Sequence, residues 1–426
     1  MQGYRAFGVS EEALRLADQL EMDLQKRFKE IERVRDHCQL KVLKAFQNQR
    51  VSETDFGISR GYGYDDAGRD KLERVYAEVF GTESALVRIS LLSGTMAIST
   101  VLFGLLRPGD ELLAVSGKPY DTLDAVIGLG ERKDEGSLRS FGVTYREVAL
   151  LEDGRPDLLG IRAAISERTK VVHIQRSRGY AMRRALSIQE IQDICETVHE
   201  LRKDLIVFVD NCYGEFVEEK EPGEVGADII AGSLIKNPGG GLAPSGGYIC
   251  GRQELVHQCA CRYSAPGLGA EVGASLGYNR LLYQGLYLAP HVVAESLRGA
   301  VFASAYLQHL GYQSDPGPWD HRSDIVQLCE FKEPKSMCAF IEAIQAAAPV
   351  DSFVRPTPAP MPGYEDPVIM AAGAFVQGAS IELSADGPLR PPYTVFMQGG
   401  LVYANIKLAV LMADQRIRAE QNEALT

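Results

Sequence analysis

Short apolar runs alternate with amphipathic segments through the middle of the chain. Segments with apolar residues on one face predict helices at Gly94–Leu105, Tyr120–Ile127, Leu158–Ala164 and Ser187–Leu201. Seven runs rich in branched residues predict β-strands, at Ala85–Ile89, Glu111–Val115, Val143–Val148, Lys170–Ile174, Leu205–Asp210, Asp228–Ala231 and Tyr248–Cys250. Such alternation is typical of a parallel sheet with helices on both faces. We therefore expect an α/β domain with a mainly parallel, seven-stranded sheet.

The two ends of the chain carry different patterns. Residues 10–49 predict a long amphipathic helical region, because apolar side chains recur at helical spacing and charges fill the gaps. Beyond the sheet we expect a helix over Ala289–His309 and strands over Ala379–Leu383 and Tyr393–Met397. The expected division is an N-terminal helical arm over 1–55, a large α/β domain over 56–285 and a smaller α+β domain over 286–426.

Composition and charge exclude several classes of partner. The chain has 426 residues and a formal net charge of -12, which argues against nucleic-acid or anionic-membrane binding, since these need clustered Lys and Arg. No apolar run approaches the ~20 residues of a membrane span, and the acidic N-terminus lacks the order of a signal peptide. We therefore expect a cytoplasmic protein. No metal site is expected at His257, Cys259 and Cys261, because no second ligand pair stands at zinc spacing.

One lysine stands between a strand-like run and a glycine-rich turn. Lys236 follows the run that begins at Asp228, so it is expected at the end of a buried strand. Ser233 and the glycines after the lysine can offer a hydroxyl and backbone N–H groups to an anion. A lysine whose pKa is lowered by burial or by cationic neighbours forms Schiff bases with aldehydes. The pattern suggests pyridoxal 5'-phosphate (PLP), an aldehyde that carries a phosphate; the alternative is a surface lysine in a flexible loop.

An acidic residue ends an apolar run upstream of that lysine. Leu205–Asp210 predicts a buried parallel strand, and ligands of open α/β sheets bind at the carboxyl ends of such strands. A carboxylate that faces the pyridine nitrogen of PLP keeps that nitrogen protonated. Asp210 alone would more often cap the following helix. Together with Lys236, it favours a PLP site.

A third segment predicts a seat for the phosphate. Ser93-Gly94-Thr95 follows a predicted strand and opens a helix, whose first N–H groups have no partner within the helix. The alternative is that Ser93 is an ordinary N-cap with no ligand. Tyr120 follows the next predicted strand, where an aromatic ring can stack on a flat pyridine.

The order of these parts resembles the fold-type I PLP enzymes, and within them the cystathionine/methionine γ-lyase branch. The motifs that carry the resemblance are Ser93-Gly94-Thr95, Tyr120, Asp210-Asn211 and Ser233-x-x-Lys236. Three further stretches, Gly61–Asp65, Gln175–Tyr180 and Ser380–Pro388, are similar to the bacterial methionine γ-lyase-like proteins that are called aluminium-resistance proteins. The resemblance covers nearly the whole chain and implies the PLP-transferase fold of type I.

The resemblance also implies a homodimer or homotetramer with active sites shared between subunits. The branch donates a Tyr-x-Arg to the phosphate of the adjacent subunit's site. This chain has Ile58 two residues before Arg60, so Tyr62 or Tyr64 would supply the phenol.

The substrate carboxylate is a second point of departure. The branch places an arginine for it near a C-terminal strand, where this chain has Glu382. Arg390 is the nearest substitute. Its planar guanidinium suits a carboxylate.

The implied activity is a PLP-dependent carbon–sulfur lyase that releases a keto acid, ammonia and a thiol from a sulfur-containing amino acid. Lys236 would bind PLP and then accept the Cα proton, and Asp210 would stabilise the protonated ring. Tyr120 would stack on the ring and exchange protons with the leaving thiolate. The phosphate would be held by the remaining polar groups, Ser93, Gly94, Thr95 and Ser233.

Three alternatives compete with this interpretation. A PLP aminotransferase or aldolase would use the same lysine and aspartate. A non-catalytic metal-stress protein would use Asp65, Asp66, Cys259 and Cys261. A dinucleotide-binding dehydrogenase is excluded, because no Gly-x-Gly-x-x-Gly follows an early strand.

Overall fold

The computed structural model describes residues 2–130, 136–179, 181–360 and 366–423. The chain divides into two units: a large unit, His37–Ala289, and a small unit that joins Met1–Asp36 to Pro290–Thr426. The three-part division expected at residues 55 and 285 remains a prediction.

The described part of the chain contains these helices, in chain order: α1 (Gln2–Arg5), α2 (Glu11–Asp23), α3 (Gln25–Asn48), α4 (Ala67–Val79), α5 (Gly94–Leu105), α6 (Thr122–Ile127), α7 (Leu158–Ala164), α8 (Ile188–Leu201), α9 (Gln253–Tyr263), α10 (Asn279–His309), α11 (Pro334–Ala346) and α12 (Tyr403–Glu423). The predicted arm over 10–49 is thus two helices that meet at Leu24. None of the described helices combines the length and the apolar character that crossing a bilayer requires.

The large unit is built on a seven-stranded sheet. Its strands are β1 (Ser84–Arg88), β2 (Glu111–Ala114), β3 (Thr144–Glu147), β4 (Thr169–Gln175), β5 (Ile206–Asp210), β6 (Ile229–Ser233) and β7 (Gly247–Gly251). The spatial order is β1-β7-β6-β5-β4-β2-β3. The pairs from β6 to β3 are parallel, and β7 runs antiparallel to both neighbours. All seven predicted strands are confirmed within one or two residues at each end.

Helix α5 packs against one face of this sheet. It is apolar around most of its circumference, because it lies among β6, β7 and α9 rather than at the surface. Val101 and Leu105 of α5, Phe208 of β5 and Ile249 of β7 belong to one buried apolar cluster. Burying a large aliphatic or aromatic side chain of this kind stabilises the fold by about 1.5–3 kcal/mol. This packing fixes the start of α5 at the carboxyl edge of the strands.

The small unit contains a five-stranded antiparallel sheet. Its strands are β8 (Gln313–Asp315), β9 (Val326–Glu330), β10 (Val368–Ala371), β11 (Ser384–Pro388) and β12 (Thr394–Gln398), in the order β10-β11-β12-β9-β8. Helix α11 packs against this sheet and against α12. The expected α+β character of the C-terminal part is confirmed, as is the strand expected at Tyr393–Met397.

The strand predicted at Ala379–Leu383 is wrong. This segment is a turn that precedes β11, although its apolar residues alternate as in a strand. The buried Glu382 carboxylate accepts hydrogen bonds from two backbone N–H groups, and the Ile381 carbonyl accepts one of 2.8 Å from Gly400. A Cβ on Gly399 would lie 2.4 Å from the carbonyl oxygens of Ser380 and Glu382. Close packing of backbone on backbone therefore replaces strand pairing here.

A fully buried histidine in β4 makes stability depend on pH. His173 packs against the Phe208 ring, neither of its ring nitrogens has a hydrogen-bond partner among the described residues, and burial lowers its pKa to about 4. The unfolded chain takes up this proton near pH 6.5, so stability is lost as pH falls from about 6.5 to 4.

In this range, the free energy of unfolding should fall by up to about 3 kcal/mol more in the wild type than in His173→Leu. Urea unfolding at several pH values measures this, with exposed His257→Leu as the control that should follow the wild type.

Candidate active site

Three parallel strands end side by side and bring polar side chains together. Gln175 ends β4 and pairs with Asp210, which ends β5, and Asp210 pairs with Ala231 of β6. Ser233 ends β6 and is buried. The start of α5 lies at the same edge, because a Cβ on Gly94 would stand 3.3 Å from the Ser233 Cβ. The predicted phosphate seat and the two predicted strand ends therefore share one location.

Lys236 lies just beyond β6 and is partly buried. Its Nζ stands 3.9 Å from the centre of the Tyr213 ring. Burial on its own lowers the pKa of the Lys236 ammonium, but the acidic groups of Cys212, Tyr213, Asp210 and Glu215 outweigh burial and raise that pKa above its ordinary value. Without a ligand the lysine is therefore a charged ammonium. A lowered pKa in the free chain, which the sequence suggested, is not what this environment produces.

Asp210 is buried at the end of β5. Burial raises the pKa of its carboxyl, and the Lys236 charge and a hydrogen bond of 3.1 Å from the Cys212 N–H to Oδ1 oppose that rise. Asp210 caps no following helix, since the chain continues into turns after it. A buried carboxylate that senses the lysine charge can hold a second cation at this edge.

The first turn of α5 is ordered by side-chain hydrogen bonds. Ser93 is the N-cap and accepts a hydrogen bond of 3.1 Å from the Met96 N–H, as the alternative interpretation of this residue required. Its hydroxyl hydrogen can still be donated elsewhere. Thr95 Oγ1 lies 3.1 Å from Thr122 Oγ1, at the start of α6. Because Tyr120 is two residues before Thr122, this contact links the predicted stacking residue to the predicted phosphate seat.

Tyr120 is held from both sides. Its N–H donates to the Gln175 side-chain oxygen at 2.6 Å, so the end of β4 sets the position of its backbone. Its ring lies against Gly179, where a Cβ would come within 3.1 Å of Tyr120 Cδ2. A glycine at 179 therefore leaves room for the ring. Tyr180, the last residue of this predicted motif, lies outside the described residues.

The glycines after Lys236 were expected to offer backbone N–H groups to an anion, but in the structure they allow close packing. Gly239 and Gly240 donate their N–H groups to the carbonyls of Lys236 and Asn237, so these groups are not available to an anion. A Cβ on Gly239 would stand 1.8 Å from the Leu234 carbonyl oxygen, and one on Gly240 would stand 2.4 Å from that of Gly285 in α10. These glycines allow close packing of the turn that presents Lys236.

The loop with Arg60, Tyr62 and Tyr64 has a fixed backbone and exposed side chains. Gly273 donates to the Tyr62 carbonyl at 2.8 Å, and the Arg69 guanidinium donates to the Gly63 carbonyl at 2.7 Å. The Tyr62 and Tyr64 rings are 70% and 54% exposed, with centroids 5.6 Å apart. Within the part of the chain that the structure describes, the Arg60 guanidinium forms no hydrogen bond or ion pair.

Arg390, the predicted carboxylate-binding residue, belongs to the small unit. It follows β11, its side chain is 60% exposed, and its Nη1 lies 3.4 Å from Asp366 Oδ2. Among the described residues, its guanidinium pairs only with this exposed carboxylate. Such a pair contributes at most about 1 kcal/mol and does not prevent the guanidinium from binding another carboxylate. Its role remains a prediction.

Sequence reasoning missed several groups around Lys236. Tyr213 and Glu215 lie in the turns directly after Asp210-Asn211, and Gln175 and Arg183 flank the end of β4. Arg183 Nη2 donates to the Gln175 carbonyl at 2.9 Å. The available signal was position, since polar residues next to the end of a buried strand are expected at the ligand edge.

These residues fit PLP by shape and by charge. Gly94 has no side chain where one would meet Ser233, and the buried Asp210 carboxylate needs a positive partner of the kind that a protonated pyridine nitrogen supplies. The charge of the Lys236 amine acts on the same carboxylate. The α5 N-terminus adds the electrostatic preference for a phosphate.

Fold comparison identifies the architecture. The Escherichia coli PLP-dependent protein YhfS has the same fold with a TM-score of 0.61 at 18% identity, over 91% of this chain and 97% of YhfS. The architecture is that of the fold-type I PLP-dependent enzymes, as the sequence predicted.

Within this class the chain belongs to the methionine γ-lyase family and is an enzyme of the lyase class, because the methionine gamma-lyase family profile matches residues 13–418. A Clostridium novyi carbon-sulfur lyase involved in aluminium resistance has a TM-score of 0.94 at 48% identity, over 98% of both chains. A Listeria monocytogenes protein, named as a proposed cystathionine beta-lyase involved in aluminium resistance, has a TM-score of 0.93 at 52% identity, over 95% of this chain and all of that one. The uncharacterised protein YnbB of Bacillus subtilis is 52% identical over 406 residues, 95% of this chain and 96% of YnbB.

The residues of the metal-binding alternative do not assemble. Among the described residues, no three His, Cys, Asp or Glu side chains are grouped so that they could hold a metal ion. Cys259 is buried in the core around α5, whereas Cys261 Sγ lies 3.7 Å from the His257 ring. Asp66 caps α4 and accepts from the Arg69 N–H at 2.9 Å.

Gly94→Ala should weaken PLP binding about tenfold, because overpacking costs ~1–3 kcal/mol. The added methyl would stand 3.2 Å from Cys212 Sγ and 3.3 Å from Ser233 Cβ. Absorbance titration with PLP measures the affinity. Gly104→Ala is the matched control in the same helix, since its methyl would meet only Cys259, with a nearest atom at 3.3 Å. Equal losses of affinity in both variants would contradict a phosphate seat at the α5 N-terminus.

Proposed function

We propose that this protein is a PLP-dependent carbon–sulfur lyase that acts on a sulfur-containing amino acid by β- or γ-elimination. The observation that carries the proposal is a partly buried lysine whose charge acts on a buried aspartate, near a helix N-terminus at the carboxyl edge of a parallel sheet. The names of the structurally similar proteins support the reaction class. PLP, when bound, withdraws electrons from the substrate Cα and so makes its proton acidic.

Lys236 has two tasks in this proposal. Its Nζ would hold the cofactor, and its amine would accept the Cα proton of a bound amino acid. The Tyr213 ring at 3.9 Å limits where Nζ can move and favours its charged form through the ring face. The Tyr213 ring would therefore help to position the amine.

Asp210 would hold a proton at the pyridine nitrogen. Its carboxylate is buried, so its attraction for a cation is only weakly screened by water. The Cys212 N–H hydrogen bond at 3.1 Å orients the carboxylate.

The phosphate would be bound by Ser93, Gly94, Thr95 and Ser233, with the Tyr120 ring packed on the pyridine. The hydroxyls and the first N–H groups of α5 are donors, and a phosphate oxygen is their natural acceptor. Tyr120 would also hold or release a proton at the leaving sulfur. Water is excluded on the protein side because the strand ends below are buried.

The site would be completed by a second copy of the chain. Arg60 with Tyr62 or Tyr64 supplies charge and phenol to the phosphate of the adjacent subunit, and the exposure of both rings on a fixed loop supports this role. Arg390 would bind the substrate carboxylate. In a homodimer or homotetramer with closed symmetry, each subunit would give its loop to a neighbour and receive one in return.

Borohydride reduction should attach PLP to Lys236. The purified protein should absorb as a lysine-bound PLP, and peptide mapping after reduction should find the label on Lys236 alone. Lys236→Ala should lose the label and reduce turnover by at least about 10³-fold, whereas exposed Lys118→Ala should keep both. A label on another lysine would exclude the assigned nucleophile.

Mixed oligomers should reveal shared sites. Lys236→Ala and Arg60→Ala chains lack different parts of the proposed site, so one of the two sites of a mixed dimer is intact. Co-expression should restore roughly a quarter of wild-type activity by random pairing. As a control, Arg74→Ala, at another exposed arginine, is used in place of Arg60→Ala. On its own this variant should keep wild-type activity. Activity no higher than the mean of the two parent variants would contradict subunit sharing.

Product analysis separates this proposal from an aminotransferase or aldolase. Cystathionine, methionine, cysteine and threonine are offered separately, and keto acid, ammonia, thiol and glycine are measured. A lyase releases thiol and ammonia together with keto acid. Keto acid without ammonia indicates transamination, and glycine from threonine indicates an aldolase.

A further inference from the structure

The tyrosine over the Lys236 amine has a backbone conformation that favours glycine. Tyr213 has a φ of 70°, in the left-handed region. It is the third residue of a turn that the Gly214 N–H closes by donating to the Asn211 carbonyl at 3.0 Å. Glycine or asparagine is usual at the third residue of a turn with positive φ, and a bulky side chain is strained there. The strain points to a task of the tyrosine ring that glycine could not perform.

Buried contacts hold this turn in place. A Cβ on Gly214 would stand 2.5 Å from the Arg176 side chain. The Arg176 guanidinium is fully buried and donates to the Asn211 side chain at 2.8 Å. The turn therefore cannot relax Tyr213 without disturbing a buried arginine and its hydrogen bond.

A further contact ties this turn to the one that carries the lysine. The buried Asn237 side chain, next to Lys236, donates to the carbonyl of Glu215, two residues after Tyr213, at 3.0 Å. The lysine Nζ stands 3.9 Å from the centre of the Tyr213 ring. This lies well within the ~6 Å over which a ring face attracts a cation. Two linked turns, and not the lysine side chain alone, therefore set the distance between ring and amine.

We propose that Tyr213 is a positioning residue whose ring face binds Lys236 only while the lysine is charged: the ammonium stays on the ring, and the amine leaves it once the proton is lost. A ring face attracts a cation through its quadrupole, and a neutral amine lacks this attraction. We call this interaction the charge-selective contact.

The charge-selective contact would serve the base proposed for this site, so the inference rests on the proposed function. A neutral Nζ that is no longer attracted to the ring is free to change its side-chain conformation. When the amine accepts the Cα proton, the C–H bond breaks, an N–H bond forms, and the electron pair of the C–H bond stays with the substrate. Lys236 is then an ammonium again, and the Tyr213 ring stabilises it in a defined position.

Other groups act on the lysine charge as well. The ionisable groups with the strongest effect, besides Tyr213, are Asp210 at the end of β5 and Cys212 and Glu215 in the turns after it, and each favours the ammonium of Lys236. A test of the charge-selective contact must therefore leave these groups in place and change only the ring.

The rate of amine labelling at Lys236 in the cofactor-free protein tests the inference. Formaldehyde with cyanoborohydride methylates neutral amines, and mass spectrometry at pH 8 gives the rate relative to the half-exposed Lys118 in the same sample. Tyr213→Phe is compared with the same variant carrying one, two or three ring fluorines, which weaken the attraction for a cation and nearly keep the shape. Labelling should become faster with each fluorine, by up to about 2- to 30-fold when the attraction is lost.

Variants without a ring provide a second measurement. Tyr213→Leu keeps apolar bulk, and Tyr213→Gly suits the left-handed backbone, so the glycine variant serves should the leucine variant fail to fold. Both should be labelled faster than the wild type, and Tyr213→Phe should stay within about twofold of it. Tyr393→Gly is the matched control, because Tyr393 is also left-handed, with a φ of 61°, but belongs to the small unit. Its Lys236 should be labelled at the wild-type rate.

The possible outcomes separate the inference from the proposed function. Equal rates across the fluorinated series would overturn the charge-selective contact and leave the lyase proposal intact, even with faster labelling of Tyr213→Leu and Tyr213→Gly, because a ring that only shields the amine explains the latter. No PLP-dependent absorbance change in the wild type would overturn the proposed function. The labelling needs no cofactor, so rates that rise with fluorination support the contact in either case.

Discussion

Two buried carboxyl groups act on a partly buried lysine at the carboxyl edge of the large sheet, and the rest of the site depends on this constraint. Asp210 and Glu215 are buried acids whose pKa values are raised by burial. Both carboxyl groups raise the pKa of the Lys236 ammonium. An isolated buried charge costs several kcal/mol. The lysine and the two acids are therefore stable only as a set, and a change of charge on one is transmitted to the others. This coupling favours the charged form of Lys236 in the free protein.

The backbone around this set is held by buried polar contacts. Asn211 donates its N–H to the Ala231 carbonyl at 3.0 Å, which joins the turn after β5 to β6. The buried Arg176 guanidinium donates to the Asn211 side chain at 2.8 Å, and the Asn211 amide donates to Glu221 at 3.1 Å. Glu221 also accepts from the Phe216 N–H at 2.8 Å. Breaking one member of such a network costs about 3–5 kcal/mol, so the positions of Asp210 and Lys236 are well defined before any ligand binds.

The proposed site combines buried residues with an exposed loop, and this combination suits a member of the methionine γ-lyase family. The residues proposed to hold the ring and the phosphate lie at the ends of strands and at the start of α5 in the large unit. Arg60 and the rings of Tyr62 and Tyr64 lie instead on a rigid but exposed loop. Aromatic residues and arginine are enriched where protein surfaces meet. A site completed by a second chain would couple assembly to activity without any change in the fold.

The sequence alone determined the seven strands of the large sheet and the positions of Lys236 and Asp210. Each strand is a short apolar run. A strand that is buried on both faces can be recognised from its local composition alone. The failure at Ala379–Leu383 arose because Gly399 and Gly400, distant in sequence, pack against that segment and displace strand pairing. For the same reason only the tertiary structure decided that Glu215 lies under the lysine turn: its surroundings come from contacts between strands, and no periodicity along the chain records them.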